Sequence, residues 1–168
     1  MLERPCPECG FDASIFPCQS VPDELETRAA AWRPLLAREH APVRPAPTTW
    51  STLEYACHVR DVFRVFEDRL RRMLVEDNPL FENWDQDATA VEARYGEQEP
   101  TIVADELEVA GNALVERFSD VGPDDWSRPG RRSDGSNFTV GTLSCYLLHD
   151  VVHHLHDVEV AVPPASGS

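Results

Sequence analysis

The chain has 168 residues, of which 30 are acidic and 15 are basic, so its formal net charge at pH 7 is -15. This length suits one domain with a full hydrophobic core, and the negative charge disfavours nucleic acid and anionic lipid as partners, because both would be repelled. No apolar run is long enough to cross a bilayer and no signal peptide is evident, so we expect a cytoplasmic protein with neither nucleic-acid nor membrane partners.

A C-x-x-C motif precedes the first helical pattern. Cys6 and Cys9 have the spacing of half a zinc knuckle, and Gly10 allows the chain to turn after them. Cys18 is the candidate for a third ligand of a structural zinc, and no fourth ligand is evident. Reduced or disulfide-linked cysteines are the alternative interpretation. A redox motif is less favoured, since no thioredoxin-like pattern follows.

Four segments then show the 3.6-residue periodicity of amphipathic helices. Their approximate ranges are 22–39, 49–77, 101–119 and 139–160. A proline-rich link joins the first two, and long connections follow the second and third, at 78–100 and 120–137. No alternating strand pattern of useful length is present. The prediction is an all-α four-helix bundle over 21–161, a Cys-containing extension at 1–20 and a disordered tail at 162–168.

The second helix places a histidine among its apolar residues. Ser51 and Glu54 form a possible capping box at its start. His58 falls on the apolar stripe that runs along this helix, so its side chain should face the core. Cys57 beside it is a weaker candidate as a thiolate ligand, because small cysteines also serve helix packing.

The last helix carries four histidines within eight residues. His149 and His153 are four residues apart, which places their rings on one helical face. His156 shares that face but lies two turns from His149, so His153 with His156 is the alternative pair. His154 is about 140° away at 100° per residue and should face elsewhere.

Three imidazoles converging in a bundle core would satisfy one another poorly, whereas a divalent transition metal would satisfy all three. We therefore predict a metal site made by His58, His149 and His153. Hydrogen-bonded core histidines without metal are the alternative. Asp61 and Asp157, each one turn beyond a predicted ligand, are candidates to orient an imidazole from behind.

These residues resemble the DinB family of metal-dependent four-helix-bundle proteins, which includes mycothiol-dependent maleylpyruvate isomerase. The resemblance rests on the three histidines, on the segment W-S-x-x-E-Y-x-x-H-x-R-D-V from Trp50, and on T-V-G before the last helix. It covers about residues 20–160 and does not include the C-x-x-C motif. It implies a divalent metal, often zinc or nickel, and chemistry with low-molecular-weight thiols.

The leading functional hypothesis is a metal-dependent thiol S-transferase or isomerase that takes a small-molecule substrate and a mycothiol-like thiol. Asp85, Asp87 and Tyr95 in the second connection are candidate acid/base groups, although solvated loop residues are the plainer interpretation. The alternatives are a metal-dependent hydrolase at the same site and a non-catalytic metal-binding or sensing module. By analogy with other bundles, a homodimer is a further expectation.

Overall fold

The computed structural model describes residues 4–161. Four helices dominate it, and the structure confirms the predicted bundle. They are α1 (Val21–Ala30), α3 (Thr52–Val75), α5 (Pro100–Phe118) and α6 (Val140–Ala161), with two short helices between them, α2 (Trp32–Leu36) and α4 (Gln86–Glu92). The tail predicted at 162–168 lies outside the described residues.

The four long helices form a closed ring in which α3 contacts α5 and α6, and α1 contacts the same two helices. Leu25, Phe63, Leu107 and Leu148, one from each helix, are almost fully buried in the shared core. The pairing of α3 with α5 is the most extensive. Sites on α3 and α6 that face each other are therefore enclosed by the bundle.

Both helices that carry the candidate histidines begin at defined caps. Ser51 and Glu54 make the predicted capping box, with the Ser51 side chain accepting from Glu54 N and the Glu54 carboxylate accepting from Ser51 N at 2.8 Å. At the start of α6 the same reciprocal arrangement links Thr139 and Thr142, whose hydroxyls each accept from the other residue's backbone N–H. These caps fix the residue at which each helix begins.

The first predicted helix is divided in two. The chain breaks helical regularity at Ala31, between α1 and α2. Pro34 lies inside α2, where a continuous helix would need its missing N–H and would clash with its ring. The pattern of apolar residues continues across the break, which is why the sequence indicated a single helix.

A small sheet, absent from the sequence prediction, joins the two long connections. Strand β1 (Leu80–Phe81) runs parallel to β2 (Pro129–Arg132), and β2 pairs antiparallel with β3 (Asn137–Thr139). Gly135, at φ +92°, completes the turn between β2 and β3. Strands of two to four residues are too short for an alternating pattern to be legible. The sheet holds both connections against the same end of α3 and α6.

Within residues 4–161 we find no helix with the length and apolar character needed to cross a membrane.

Candidate metal centre

The structure does not bring His58, His149 and His153 together. It places them in two adjacent clusters of ligand-type side chains, each with its donor atoms within 4.8 Å of one another. The core cluster contains His58, Asp150 and His154. The terminal cluster contains Cys6, Cys9, His149 and His153.

The core cluster joins α3 to α6 inside the bundle. Nε2 of His58 lies 3.3 Å from Oδ1 of Asp150, and Nε2 of His154 lies 3.7 Å from the same oxygen. Asp150 and His154 are one helical turn apart, so both side chains leave α6 on one face. Two imidazole nitrogens and one carboxylate oxygen thus converge on a single point.

Aromatic rings hold His58 in position. Its ring stacks on Trp84 with centroids 5.4 Å apart and an angle of 8° between the planes. Trp50 packs at 5.6 Å on another side, and the His154 ring meets His58 edge-on at 4.7 Å. The Trp84 indole is itself fixed, because its N–H donates to Thr89 at 2.8 Å. The His58 side chain is fully buried, and its orientation is set before any ligand binds.

The residues of the core cluster fit a divalent cation. Nε2 of His58 and Nε2 of His154 both face Oδ1 of Asp150, and two imidazole nitrogens with one carboxylate oxygen are a donor set that suits zinc. Nδ1 of His154 lies 3.0 Å from Oδ2 of Asp157, the kind of contact that orients a metal-binding imidazole. Burial opposes ionisation of Asp150, but the hydrogen bond to His58 and the nearby histidines lower its pKa, so a carboxylate is available.

The rotation of α6 about its axis explains why His58, His149 and His153 do not form the predicted metal site. Helical periodicity predicts that His149 and His153 face the core and that His154 points away. In the structure it is His154 that meets α3, while the ring of His149 stacks on Phe11 of the N-terminal segment at 5.8 Å. Because α6 is apolar on almost every side, periodicity alone does not fix its rotation. Asp150 was missed, although it stands in the same four-residue spacing to His154.

The terminal cluster accounts for two of the three cysteines predicted as structural ligands. Cys6 and Cys9 lie beside His149 and His153, whereas Cys18 packs elsewhere, near Gly141 and Cys145. The pKa of Cys6 falls from 9.0 to about 6, because its sulfur accepts hydrogen bonds from the Cys9 backbone, the His149 ring and the Glu8 backbone. Burial raises the pKa of Cys9.

Two other cysteines are buried in the bundle. Burial raises the pKa of Cys57 to about 12 and, together with the nearby Cys18, the pKa of Cys145 to about 11. The Cys57 sulfur lies 3.8 Å from the carbonyl oxygen of Tyr95 and 3.5 Å from the side-chain oxygen of Gln98. Both cysteines therefore act as small core residues that stay protonated at neutral pH.

The remaining candidate residues serve the fold. Asp61, expected behind a histidine, accepts instead from the Tyr95 hydroxyl at 2.7 Å and from Arg60 at 2.9 Å. Hydrogen bonds from Arg60 and Tyr95 outweigh burial and lower the pKa of Asp61, while burial and the contact with Asp61 raise that of Tyr95.

Asp85 caps α4 by accepting from Ala88 N, and Asp87 is exposed in the first turn of α4. Asp157 does orient an imidazole, but chiefly that of His154.

Three cavities adjoin one another around Asp150. A small one of about 50 Å³ includes Asp150 in its wall. A surface groove of about 460 Å³ shares Arg69, Asn83 and Trp84 with it. A larger cavity of about 750 Å³ shares Arg132 and Tyr146 with the small one. Asp150 is the residue of the core cluster that lines the small cavity, and the groove and the larger cavity share wall residues with that small cavity.

Comparison with known families assigns the fold. The model of the DinB superfamily matches residues 21–158, most of the chain. The chain belongs to the DinB superfamily. The matched region contains the core cluster and begins after Cys6 and Cys9, so those two ligand-type residues lie outside the shared domain.

A solved structure supports this DinB assignment at the level of fold. YfiT from Bacillus subtilis is similar with a TM-score of 0.70 at 15% sequence identity, over 85% of this chain and 83% of that one. YfiT is described as a probable metal-dependent hydrolase with an unusual four-helix bundle topology. Comparison with curated proteins gives no significant match.

Proposed function

We propose that this DinB-superfamily protein is a metal-dependent enzyme that joins a low-molecular-weight thiol to an electrophilic small molecule. The observation that carries the proposal is a buried cluster of two histidines and one aspartate, in which Asp150 lines a small cavity that shares wall residues with two larger ones. Two larger cavities beside one metal-binding cluster would suit a reaction between two substrates.

The core cluster has the composition of a catalytic site. His58, Asp150 and His154 offer three protein ligands, the number typical of catalytic zinc, which keeps a further position open. A divalent ion bound there would lower the pKa of a coordinated thiol or water and so supply a nucleophile at neutral pH. Trp84 holds the His58 ring and Asp157 holds the His154 ring, so the donor atoms stay aligned.

The nucleophile must come from a substrate. Cys57 is adjacent to His58 in sequence, but its sulfur points toward Tyr95 and Gln98 and its pKa is raised to about 12. A thiol with this pKa is almost entirely protonated at neutral pH and is a poor nucleophile. An external thiol is therefore the reactant that we assign to the site.

The groove suits a thiol that carries an anionic group. Its lining includes Arg64, Arg69 and Arg72 beside the acidic Asp68 and Glu82. Arg64 and Arg72 form ion pairs with carboxylates, so Arg69 is the arginine available to a ligand. Arg69 is buried and lies over the rings of Phe66 and Phe81. It donates a hydrogen bond to the Glu82 carbonyl oxygen at 3.2 Å, and no carboxylate among the described residues forms an ion pair with it. A buried guanidinium of this kind favours a carboxylate or phosphate on the ligand.

The larger cavity suits the second substrate. Its lining includes the aromatic side chains of Phe16, Trp126 and Phe138. An electrophile with an apolar body would bury its surface there. Its reactive carbon would approach the core cluster past Arg132 and Tyr146, which line both this cavity and the small one.

Hydrolysis is the second candidate function. Two histidines and one carboxylate are the donor set of several zinc hydrolases, and YfiT is described as a probable metal-dependent hydrolase. In that reaction water would take the place of the thiol, and the arginine-lined groove would have no role in binding a cosubstrate.

The test is an activity assay on zinc-loaded protein. Monochlorobimane is offered with cysteine, glutathione or mycothiol; a C–S bond forms, the C–Cl bond breaks, chloride leaves and the thiol proton passes to solvent. We expect thiol-dependent transfer that is lost after chelation and in His154→Ala. His156→Ala is the matched control, because His156 lies on α6 outside both clusters, and it should retain activity.

Two results would contradict the proposal. Transfer that survives both chelation and His154→Ala would show that the core cluster plays no part. Zinc-dependent cleavage of an ester without any thiol, together with no transfer, would assign the site to hydrolysis instead.

A further inference from the structure

The terminal cluster joins the N-terminal segment to residues of α6 that lie at least 140 positions further along the sequence. Cys6 and Cys9 come from the N-terminal segment, and His149 and His153 come from α6. One donor atom from each lies within 4.8 Å of the other three, and Sγ of Cys6 is 3.6 Å from Nδ1 of His153. Two sulfurs and two imidazole nitrogens are the ligands of a Cys2His2 zinc site.

The N-terminal segment makes a tight turn around Cys6 and Cys9. Gly10 has φ +75°, and its N–H donates to the Cys6 carbonyl oxygen at 3.0 Å, which closes the turn. The Cys6 N–H in turn donates to the carbonyl oxygen of Phe11 at 2.8 Å.

The surroundings of His149 and His153 suit the binding of a metal ion. Nε2 of His149 is buried without a hydrogen-bond partner among the described residues, so this polar atom is unsatisfied as the chain stands. His153 presents Nδ1 to Cys6, and its Nε2 lies 3.1 Å from Glu8 and 3.8 Å from Asp157. A carboxylate behind the ring is the usual partner of a metal-binding imidazole.

We propose that Cys6, Cys9, His149 and His153 bind a second divalent metal ion, zinc, in a closed four-ligand site that fastens the N-terminal segment to α6. Two thiolates balance the charge of the ion, and four protein ligands leave no position for substrate, so the site is structural. It is separate from the core cluster, and two of its four ligands, Cys6 and Cys9, precede the region matched by the DinB model.

The experiment is metal analysis of full-length untagged protein, reduced, stripped with chelator and reloaded with zinc alone. We expect two zinc ions per chain in the unmodified protein and one in Cys6→Ser/Cys9→Ser. Cys18→Ser/Cys145→Ser removes the same number of cysteines outside the cluster and should keep two. His58→Ala should keep one. Circular dichroism of each variant establishes that the bundle is folded.

Cobalt loading separates the two sites independently of the counts. A sulfur-to-cobalt charge-transfer band in the near ultraviolet should be present in the unmodified protein and in His58→Ala, and absent from folded Cys6→Ser/Cys9→Ser. If His58→Ala binds as much metal as the unmodified protein, the proposed enzymatic site fails while the terminal site stands.

Three results would overturn the second site. The first is a folded Cys6→Ser/Cys9→Ser variant that keeps the full metal content. The second is a cobalt spectrum without the sulfur band in the unmodified protein. The third is a Cys6–Cys9 disulfide that persists in the reduced, metal-loaded preparation.

Discussion

Tyr95→Phe removes one hydroxyl from the polar network behind the aromatic wall of the core cluster. That hydroxyl is buried and donates to Asp61 at 2.7 Å. A hydrogen bond to a charged group contributes about 1.5–3 kcal/mol. Since Arg60 still binds Asp61 at 2.9 Å in the variant, we expect a loss of about 2 kcal/mol, or a fall in Tm of about 4–8 °C for a chain of this size.

The loss should depend on pH. The pKa of Asp61 is lowered in the folded protein, so its contribution to stability is complete above the pKa of an unfolded aspartate, about 3.9, and is lost as the pH falls through the lower folded value. The difference between the unmodified protein and Tyr95→Phe should therefore be full near neutrality and shrink on acidification.

Urea unfolding with a common m-value measures the effect. Tyr55→Phe is the control, because burial and the charges of Asp157 and Glu54, rather than a hydrogen bond, act on the Tyr55 hydroxyl; it should change stability by less than about 0.5 kcal/mol. A Tyr95→Phe variant as stable as the unmodified protein but deficient in thiol transfer would refute the structural role and restore Tyr95 as an acid/base candidate.

Three further substitutions have expected outcomes. Asp157→Asn removes the charge behind His154 and should weaken zinc binding at the core cluster about 10- to 100-fold by calorimetric titration; unchanged affinity would mean that Asp157 does not orient the ring. Ser51→Ala removes the cap of α3 and should cost about 1 kcal/mol in urea unfolding, whereas a neutral result would contradict the capping box. Gly111→Ala places a Cβ 3.2 Å from that of Ala29 and 3.3 Å from the Phe63 ring. Overpacking of about 1–3 kcal/mol is offset by the roughly 1 kcal/mol that alanine gains over glycine inside a helix, so we expect a net loss of up to about 2 kcal/mol in urea unfolding; a gain in Tm would show that the helices separate freely there.

The helices were predictable because their signals are local. Apolar spacing and the Ser51–Glu54 pair depend on residues a few positions apart, and α3 begins where that pair places it. The short strands were not predictable in this way. Leu80 pairs with Arg131 across 50 residues, and neither strand is long enough to show its own periodicity.

The site was predictable only in its residue types. His58 is buried as its apolar stripe indicated. Its partners depend on the rotation of α6, which is fixed by what covers each face of that helix. The N-terminal segment covers His149 and His153, and this contact joins parts of the chain too distant for spacing to reveal. Cys6 and Cys9 were recognised as half of a site, but the other half lay on α6.

The interleaving of the two clusters on α6 constrains how this helix can vary. His149 and His153 serve one cluster, while Asp150 and His154, each the next residue along, serve the other. The two pairs are offset by about 100° around the helix axis. Insertion or deletion of one residue between the Thr139 cap and His149 would therefore misdirect both pairs at once. Exchange of a side chain at one pair leaves the other in register, so the two clusters can diverge separately by substitution but not by changes in the length of the helix.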